Sequence, residues 1–492
     1  MPSPTKYSHH LMKGVSYNLI ANFIQGLLTL ALIPIATLVL GPQDYAVFGM
    51  GVVVVALAVA LCETGSAYVL YGHYQVLNES GRARLQSTLL TLALLLGLVA
   101  MFLVLLVWPM LVRNVPLFTE LTQVEMWLLC LTLPLKTVWS ILNPFLISRG
   151  RSDWLAFCLL LQSVVGLLAI LSCLYFFEIG RSALFWGHWA GLFVCVITAL
   201  TFLRRSVLAP FKKHWLRQVH GVAFRAWFVG LAEHTRSLIE SALIVKAFSS
   251  EALGNYNHAK VYQGLTAQGT NAFANYLWPI ALKEARDGES RFMQIRPAWD
   301  LVYVGLTCIG FGAVFLGDEL VSLLTHGKFL EAGAWLPWLV VYTLLQNAGK
   351  PATAILFVAR KSNYYSNIRI ITVLLAILAL LVLIPIFGVE AVLSVGIFEM
   401  LIFRVFISVE ARRVRPVPFQ DQWVVAGCLL IFVCWYLESS LQLSLMDRCS
   451  AFMGLSCTIF AIQLLNLPAL HKSNWYNKLL GRKRQDSEKK HV

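Results

Sequence analysis

Apolar residues along this chain fall in blocks long enough to cross a bilayer, separated by short polar stretches in which Lys, Arg, Gly and Pro recur. A helix needs about 20 mostly apolar residues to span roughly 30 Å of hydrocarbon. Fourteen blocks fit that requirement: 15–40, 46–71, 86–112, 122–147, 154–177, 183–203, 219–248, 254–282, 299–324, 333–358, 367–387, 391–409, 423–437 and 450–467. The thirteenth is short, because Glu438 is expected to close it. The opening stretch MPSPTKYSHHLMKG is polar and no small-residue cleavage site follows, so the first block reads as a retained span. The predicted fold is all-α and polytopic.

Polar residues inside the blocks are not scattered. Asn18, Asn22, Gln25 and Thr29 follow one another at intervals of four, three and four in the first block, which places them within about 60° on a helix. The seventh block holds Arg225, Glu233, His234, Arg236, Glu240 and Lys246. Helical angles gather Arg225, Glu233, Arg236 and Glu240 within about 80°, with Lys246 about 60° to the other side and His234 opposite. The eighth adds Lys260, Gln263, Gln268, Asn271 and Asn275. A lone charge at bilayer depth costs at least about 2.5–3.5 kcal/mol, so such residues face a partner or a wet cavity. Internal pairing of Glu233 with Arg236 and of Arg236 with Glu240 is one reading. The wall of a cationic cavity is the other, favoured here by the spread over several turns and the excess of positive charge.

Glu63, Lys136, Lys350, Glu399 and Arg404 are single charges within or beside apolar blocks, each as compatible with a structural pair or a snorkelled position as with function. Lys136 lies mid-span in TLPLKTVWS and is the foremost test case. His188 and His326 read as structural or loop histidines. Trp127, Trp139, Trp278, Trp335 and Trp338 suit sugar faces, but interfacial aromatic belts explain many tryptophans without sugar.

Composition supports the membrane reading. The chain is 58% hydrophobic and 13% charged, whereas soluble domains carry roughly 25% charged residues. Its net charge of +14 could suggest nucleic acid, but the placement argues otherwise. With the N-terminus inside, the inner loops and tail hold 28 of the 39 Lys and Arg residues, Arg369 counted among them. The outer loops hold only Arg113, Arg181, Lys328 and Arg448. This is the positive-inside asymmetry, which predicts both termini in the cytoplasm. No nucleic-acid partner is expected, and the tail GRKRQDSEKKHV is expected to lie near anionic lipid.

Two internal matches have nearly one offset. Tyr45-Ala46-Val47-Phe48 aligns with Leu253-Gly254-Asn255-Tyr256, and LISRGRSD (146–153) with LFVARKSN (356–363). A repeated six-span unit follows, with its halves related by an axis along the membrane normal. The expected divisions are an N-lobe at 1–203, a basic amphipathic linker at 204–218, a C-lobe at 219–411, two further helices at 412–470 and a basic tail at 471–492.

Signatures of soluble chemistry are missing. The sequence holds no P-loop, no HExxH and no Cys/His metal spacing, so neither a cofactor nor a metal is expected, and the protein is not read as an enzyme. The ten cysteines read as small buried hydrophobes. Asn78-Glu79-Ser80 matches a glycosylation sequon but falls on the predicted inner side.

SYNLIANFIQGLLTLALIPIATLVLGPQDYAVFGM (16–50), ALIVKAFSSEALGNYNHAKVYQGL (242–265) and LLTHGKFLEAGAWLPWL (323–339) resemble segments of the oligosaccharide flippases of the multidrug/oligosaccharidyl-lipid/polysaccharide exporter superfamily, often called Wzx-type proteins. Ala46 departs from the glycine usual in that family's turn. The resemblance implies two six-helix lobes plus two C-terminal helices, in a bacterial inner membrane. It implies alternating access, driven by an ion gradient, that turns undecaprenyl-diphosphate-type oligosaccharides between leaflets. Polysaccharide polymerase and chain-length regulator would be the partners. Arg225, Arg236, Lys246 and Lys260, with Lys136, Asn22, Gln25 and Asn271, would hold the substrate. Glu63, Glu233 and Glu240 would exchange protons or pair with those cations. A drug or metabolite exporter of the same superfamily should have twelve spans and a more acidic cavity. A membrane-embedded glycan polymerase or ligase should have a large outer loop. A major-facilitator transporter should carry a basic G-x-x-x-D-R motif that GHYQVLNESGRAR (72–84) lacks.

Overall fold

The computed structural model describes residues 4–62, 77–149, 151–204, 210, 214–287, 296–359, 361–415, 421–441 and 443–465. Among these residues the regular structure is helical. Long helices are α1 (Pro4–Val39), α2 (Pro42–Cys62), α3 (Glu79–Asn114), α4 (Gln123–Ser148), α5 (Ser152–Tyr175), α6 (Ser182–Phe202), α7 (His214–Ala247), α8 (Ser250–Asp287), α9 (Arg296–Thr325) and α10 (Leu330–Ala348). A short α11 (Lys350–Val358) continues α10, and α12 (Ser362–Phe387), α13 (Val389–Val414), α14 (Asp421–Leu441) and α15 (Leu445–Leu465) complete the bundle. Among the described residues, eleven helices are long and apolar enough to cross a membrane. Helices α7, α8 and α10 fall outside that set. The first two carry the charged and amide residues singled out above.

Local chemistry sets the breaks. Gly41 and Pro42 separate α1 from α2, and the Asp44 carboxylate accepts the Gly41 N–H at 2.9 Å. Thr122 and Glu125 close a reciprocal capping box at the start of α4. Asn78, the sequon residue, caps α3 by accepting the Gly81 N–H at 2.9 Å. Gly388 takes a positive φ of 66° between α12 and α13, a conformation that glycine adopts without steric cost. The tenth predicted span is divided at Gly349, and Pro351 opens α11. Helix α14 runs past Glu438 to Leu441, because Glu438 is paired with Arg448 of α15 at 2.9 Å. A charge that has a partner does not end a helix.

Helices α1–α6 and α7–α13 form two lobes, and α14 and α15 pack on α9. The lobes meet mainly through α1 and α2 against α7, α8 and α9. Most of the described polar contacts between them lie at the Gly41 end. The Thr37 hydroxyl donates to the Leu324 carbonyl (3.2 Å), His326 to that of Pro34 (3.2 Å) and Lys328 to that of Leu38 (2.9 Å). Gly254 lies so close to the Pro42 carbonyl that a Cβ would overlap it. Gly49 faces the Asn257 side chain in the same way. Positions 49 and 257 differ by 208 residues, the offset of the first of the two internal matches. Beside them, Tyr45 stands edge-on to His258 and Phe329 at 5.2 Å each, and His258 stacks on Phe329 at 4.2 Å. Toward the opposite end, the Trp227 indole donates to the Leu61 carbonyl at 3.1 Å. The largest apolar core crosses both lobes, joining Val47 and Met50 to Leu253, Ala259 and Phe329.

Candidate functional site

The face of α7 predicted from spacing is the centre of the C-lobe. Arg236 donates to Glu240 one turn on at 3.0 Å and to Glu399 on α13. The second oxygen of Glu399 accepts from Arg369 on α12 at 2.7 Å, and Arg369 donates to Glu233 of α7 at 2.6 Å. The second oxygen of Glu240 faces the Lys260 ammonium of α8 at 3.5 Å. The six side chains therefore form one line of alternating sign: Lys260, Glu240, Arg236, Glu399, Arg369, Glu233. Its middle is buried, with side-chain exposures of 6% for Glu240 and 1% for Glu399, while Lys260 and Glu233 at the ends keep 30% and 42%.

Neighbouring rings and a missing side chain shape the line. Lys260 Nζ lies 4.2 Å from the Tyr256 ring centre and the Arg369 guanidinium 5.2 Å from that of Phe403, both within the range of cation–π attraction. Gly396 of α13 leaves room for the Arg236 fork, since a Cβ there would sit 3.3 Å from Nη2 and 3.4 Å from the Tyr342 ring. Burying charges is tolerated only when each is paired and hydrogen-bonded. The alternation satisfies that condition nearly throughout; Arg236 Nε is a buried donor without a partner among the described residues.

The line brings together four residues predicted for the site, Glu233, Arg236, Glu240 and Lys260, with two that the sequence did not assign to it. Arg369, counted with the inner-loop bases, is buried within α12, and Glu399 is the bridge between two arginines. Of the two internal pairs that formed the alternative reading of α7, Arg236 with Glu240 is present, whereas Glu233 pairs with Arg369 in place of Arg236. The positive excess read along the seventh block is balanced in this line by Glu399 from α13, giving three cations and three carboxylates. Lys246 is exposed in the last turn of α7 and stands apart from the line. The side chains of Arg225, Asn271 and Asn18, and Glu63 as a whole, lie outside the described residues.

Asn22 and Gln25 are half-buried on α1, and the Thr29 hydroxyl donates to the Gln25 carbonyl at 3.0 Å. Thr29 opens onto an N-lobe cleft of about 260 Å³ that Tyr45, Phe48, Gln162 and His188 also line, with Val261 of α8. Lys136, half-buried on α4, acts electrostatically on His188, whose ring meets Phe48 edge-on at 6.1 Å. The tryptophans divide: Trp335 meets Tyr256, whereas Trp338 packs against Phe432 and Trp435 of α14. All ten cysteines are free thiols, and no cluster of potential metal ligands occurs among the described residues.

The arrangement of these helices is the fold of the MATE transporters and the MurJ flippase. The Lipid II flippase MurJ in its inward closed conformation superposes with a TM-score of 0.67 at 12% identity, over 91% of this chain and 98% of that one. A MATE multidrug-resistance transporter matches in an inward-facing form (TM-score 0.59, 14% identity, 81% of this chain and 98% of that one). An outward-facing multidrug-resistance MATE transporter matches with the same TM-score and identity over 82% of this chain and 96% of that one. Residues 36–334 match the family described as "Polysaccharide biosynthesis protein", and the chain belongs to that family. A comparison with curated proteins finds no match.

Proposed function

We propose that this protein turns lipid-diphosphate-linked oligosaccharides across the bacterial inner membrane for the synthesis of O-antigen, capsule or exopolysaccharide. The observation that carries this reading is the buried charge line, in which Arg236 and Lys260 converge from two helices on one carboxylate. A planar guanidinium beside an ammonium suits a diphosphate, because the fork can hold two oxygens while the ammonium acts as a point charge. Arg225, Lys136, Asn22, Gln25 and Asn271 would meet the head group and its sugars from the helices around the space between the lobes. Lys246, apart from the line, carries no weight in this reading.

Movement follows alternating access. The seal at the Gly41 end would open as the opposite end closes, with Glu233, Glu240 and Glu63 as the groups whose charge responds to a coupling ion. Both termini would be cytoplasmic, which makes the Gly41 end the outer one, and a polymerase and chain-length regulator would receive the product. Family membership and the 91% of the chain matched by MurJ, against 81% by the MATE transporter, favour this reading over drug export.

The test replaces Arg236 or Lys260 with Ala in cells whose surface glycan can be measured. Exported polymer is expected to fall about tenfold or more, since each change removes one charged partner of a phosphate. Unchanged polymer at unchanged amounts of folded protein, for both variants, would end the proposal.

A further inference from the structure

We propose that Glu240 is an internal occupant of the anion site, and that it sets the charge a lipid head group must carry to enter. This rests on the reading of Arg236 and Lys260 as the diphosphate site. Glu240 holds Arg236 with Oε1 at 3.0 Å and Lys260 with Oε2 at 3.5 Å, so its two oxygens bridge the two cations as two phosphate oxygens would. The Tyr256 ring lies against the Lys260 ammonium at 4.2 Å and closes the site beside Glu240. One buried donor, Arg236 Nε, is left for a ligand with more acceptors than a carboxylate has.

The selectivity follows from competition. A membrane offers monoanionic phospholipids in great excess, and an open Arg–Lys pair would be filled by them. A carboxylate tethered between the cations competes at a fixed, high effective concentration. A monoanionic phosphate replaces one negative charge by another and gains little. A diphosphate brings at least one further charge and further acceptor oxygens, displaces the carboxylate and also reaches Arg236 Nε. Specificity here is a difference of affinities imposed by a built-in repulsive group. Lys260 is the end at which exchange begins, because its contact is the longest in the line and its side chain is 30% exposed.

The experiment measures binding of two probes, farnesyl diphosphate and phosphatidylglycerol, to the purified full-length chain by native mass spectrometry. Wild type is expected to prefer the diphosphate. Glu240→Gln keeps the shape and removes the charge, and is expected to raise phosphatidylglycerol binding by about tenfold or more, so that the preference collapses. Glu240→Asp, which keeps the charge, is expected to keep most of the preference and serves if the Gln variant does not fold. An unchanged preference in Glu240→Gln, or in its absence a collapsed preference in Glu240→Asp, overturns the proposal. Arg236→Gln and Lys260→Gln test the underlying reading separately. If both retain full diphosphate binding, the site itself is misplaced, whatever Glu240 does.

Discussion

The two lobes share a helical plan but not an interior. In the N-lobe, the core of α3–α6 is apolar, built around Leu85, Leu142, Cys158 and Cys195. Its described ion pairs sit at helix ends, where Arg181 meets Glu120 and Glu125, and Arg151 meets Asp153. In the C-lobe, six charges run through the middle of the bundle on α7, α8, α12 and α13. The difference teaches that one helical lobe can hold its shape around an apolar core while its neighbour carries costly buried charge.

The strongest way to break this contrast is Glu399→Ala. It leaves Arg236 and Arg369 without their shared carboxylate, and losing one partner of a buried pair costs about 3–5 kcal/mol. Thermal unfolding of the purified protein should show a large loss of stability. A drop no larger than that of a surface variant would mean that the C-lobe line is not structurally coupled.

Gly254→Ala acts on the seam between the lobes. Its Cβ would meet the Pro42 backbone, which cannot turn aside, so overpacking of about 1–3 kcal/mol is expected. Gly49→Ala meets only the Asn257 side chain, which can rotate, and should cost less. Labelling of cysteines introduced near the Gly41 end should rise more for the first variant than for the second. Equal labelling would contradict the placement of the seal.

The smallest effect is expected in the N-lobe. Arg151 and Asp153 are 40% and 46% exposed in their side chains, so Asp153→Asn should change stability by less than about 1 kcal/mol. An unfolding scan would register a larger loss if that pair belonged to a buried network.

The legible part of the structure was whatever lies along a single helix. Glu233, Arg236 and Glu240 share a face by spacing alone, and α7 presents that face to α8, α12 and α13. What pairs with that face depends on other helices, which no spacing within α7 reveals. Arg369 looked like a loop base because the apolar run of its helix begins only there; α12 in fact starts at Ser362, which sets Arg369 two turns inside. Glu399 shares its apolar block only with Arg404, five residues on, and the packing of α13 supplies two arginines from other helices instead. The tenth block runs across the break at Gly349, although Gln346-Asn347-Ala348-Gly349-Lys350-Pro351 interrupts its apolar run at that point.

The contact of Gly49 with Asn257 carries a historical consequence. Had two identical halves once faced each other, this spot would have been one side chain confronting its twin, small against small or bulky against bulky. A glycine socket receiving an amide is a fit that only separately mutable copies can reach. Joining the halves in one polypeptide is what makes such lopsided matching available, at the seam as well as in the charged interior.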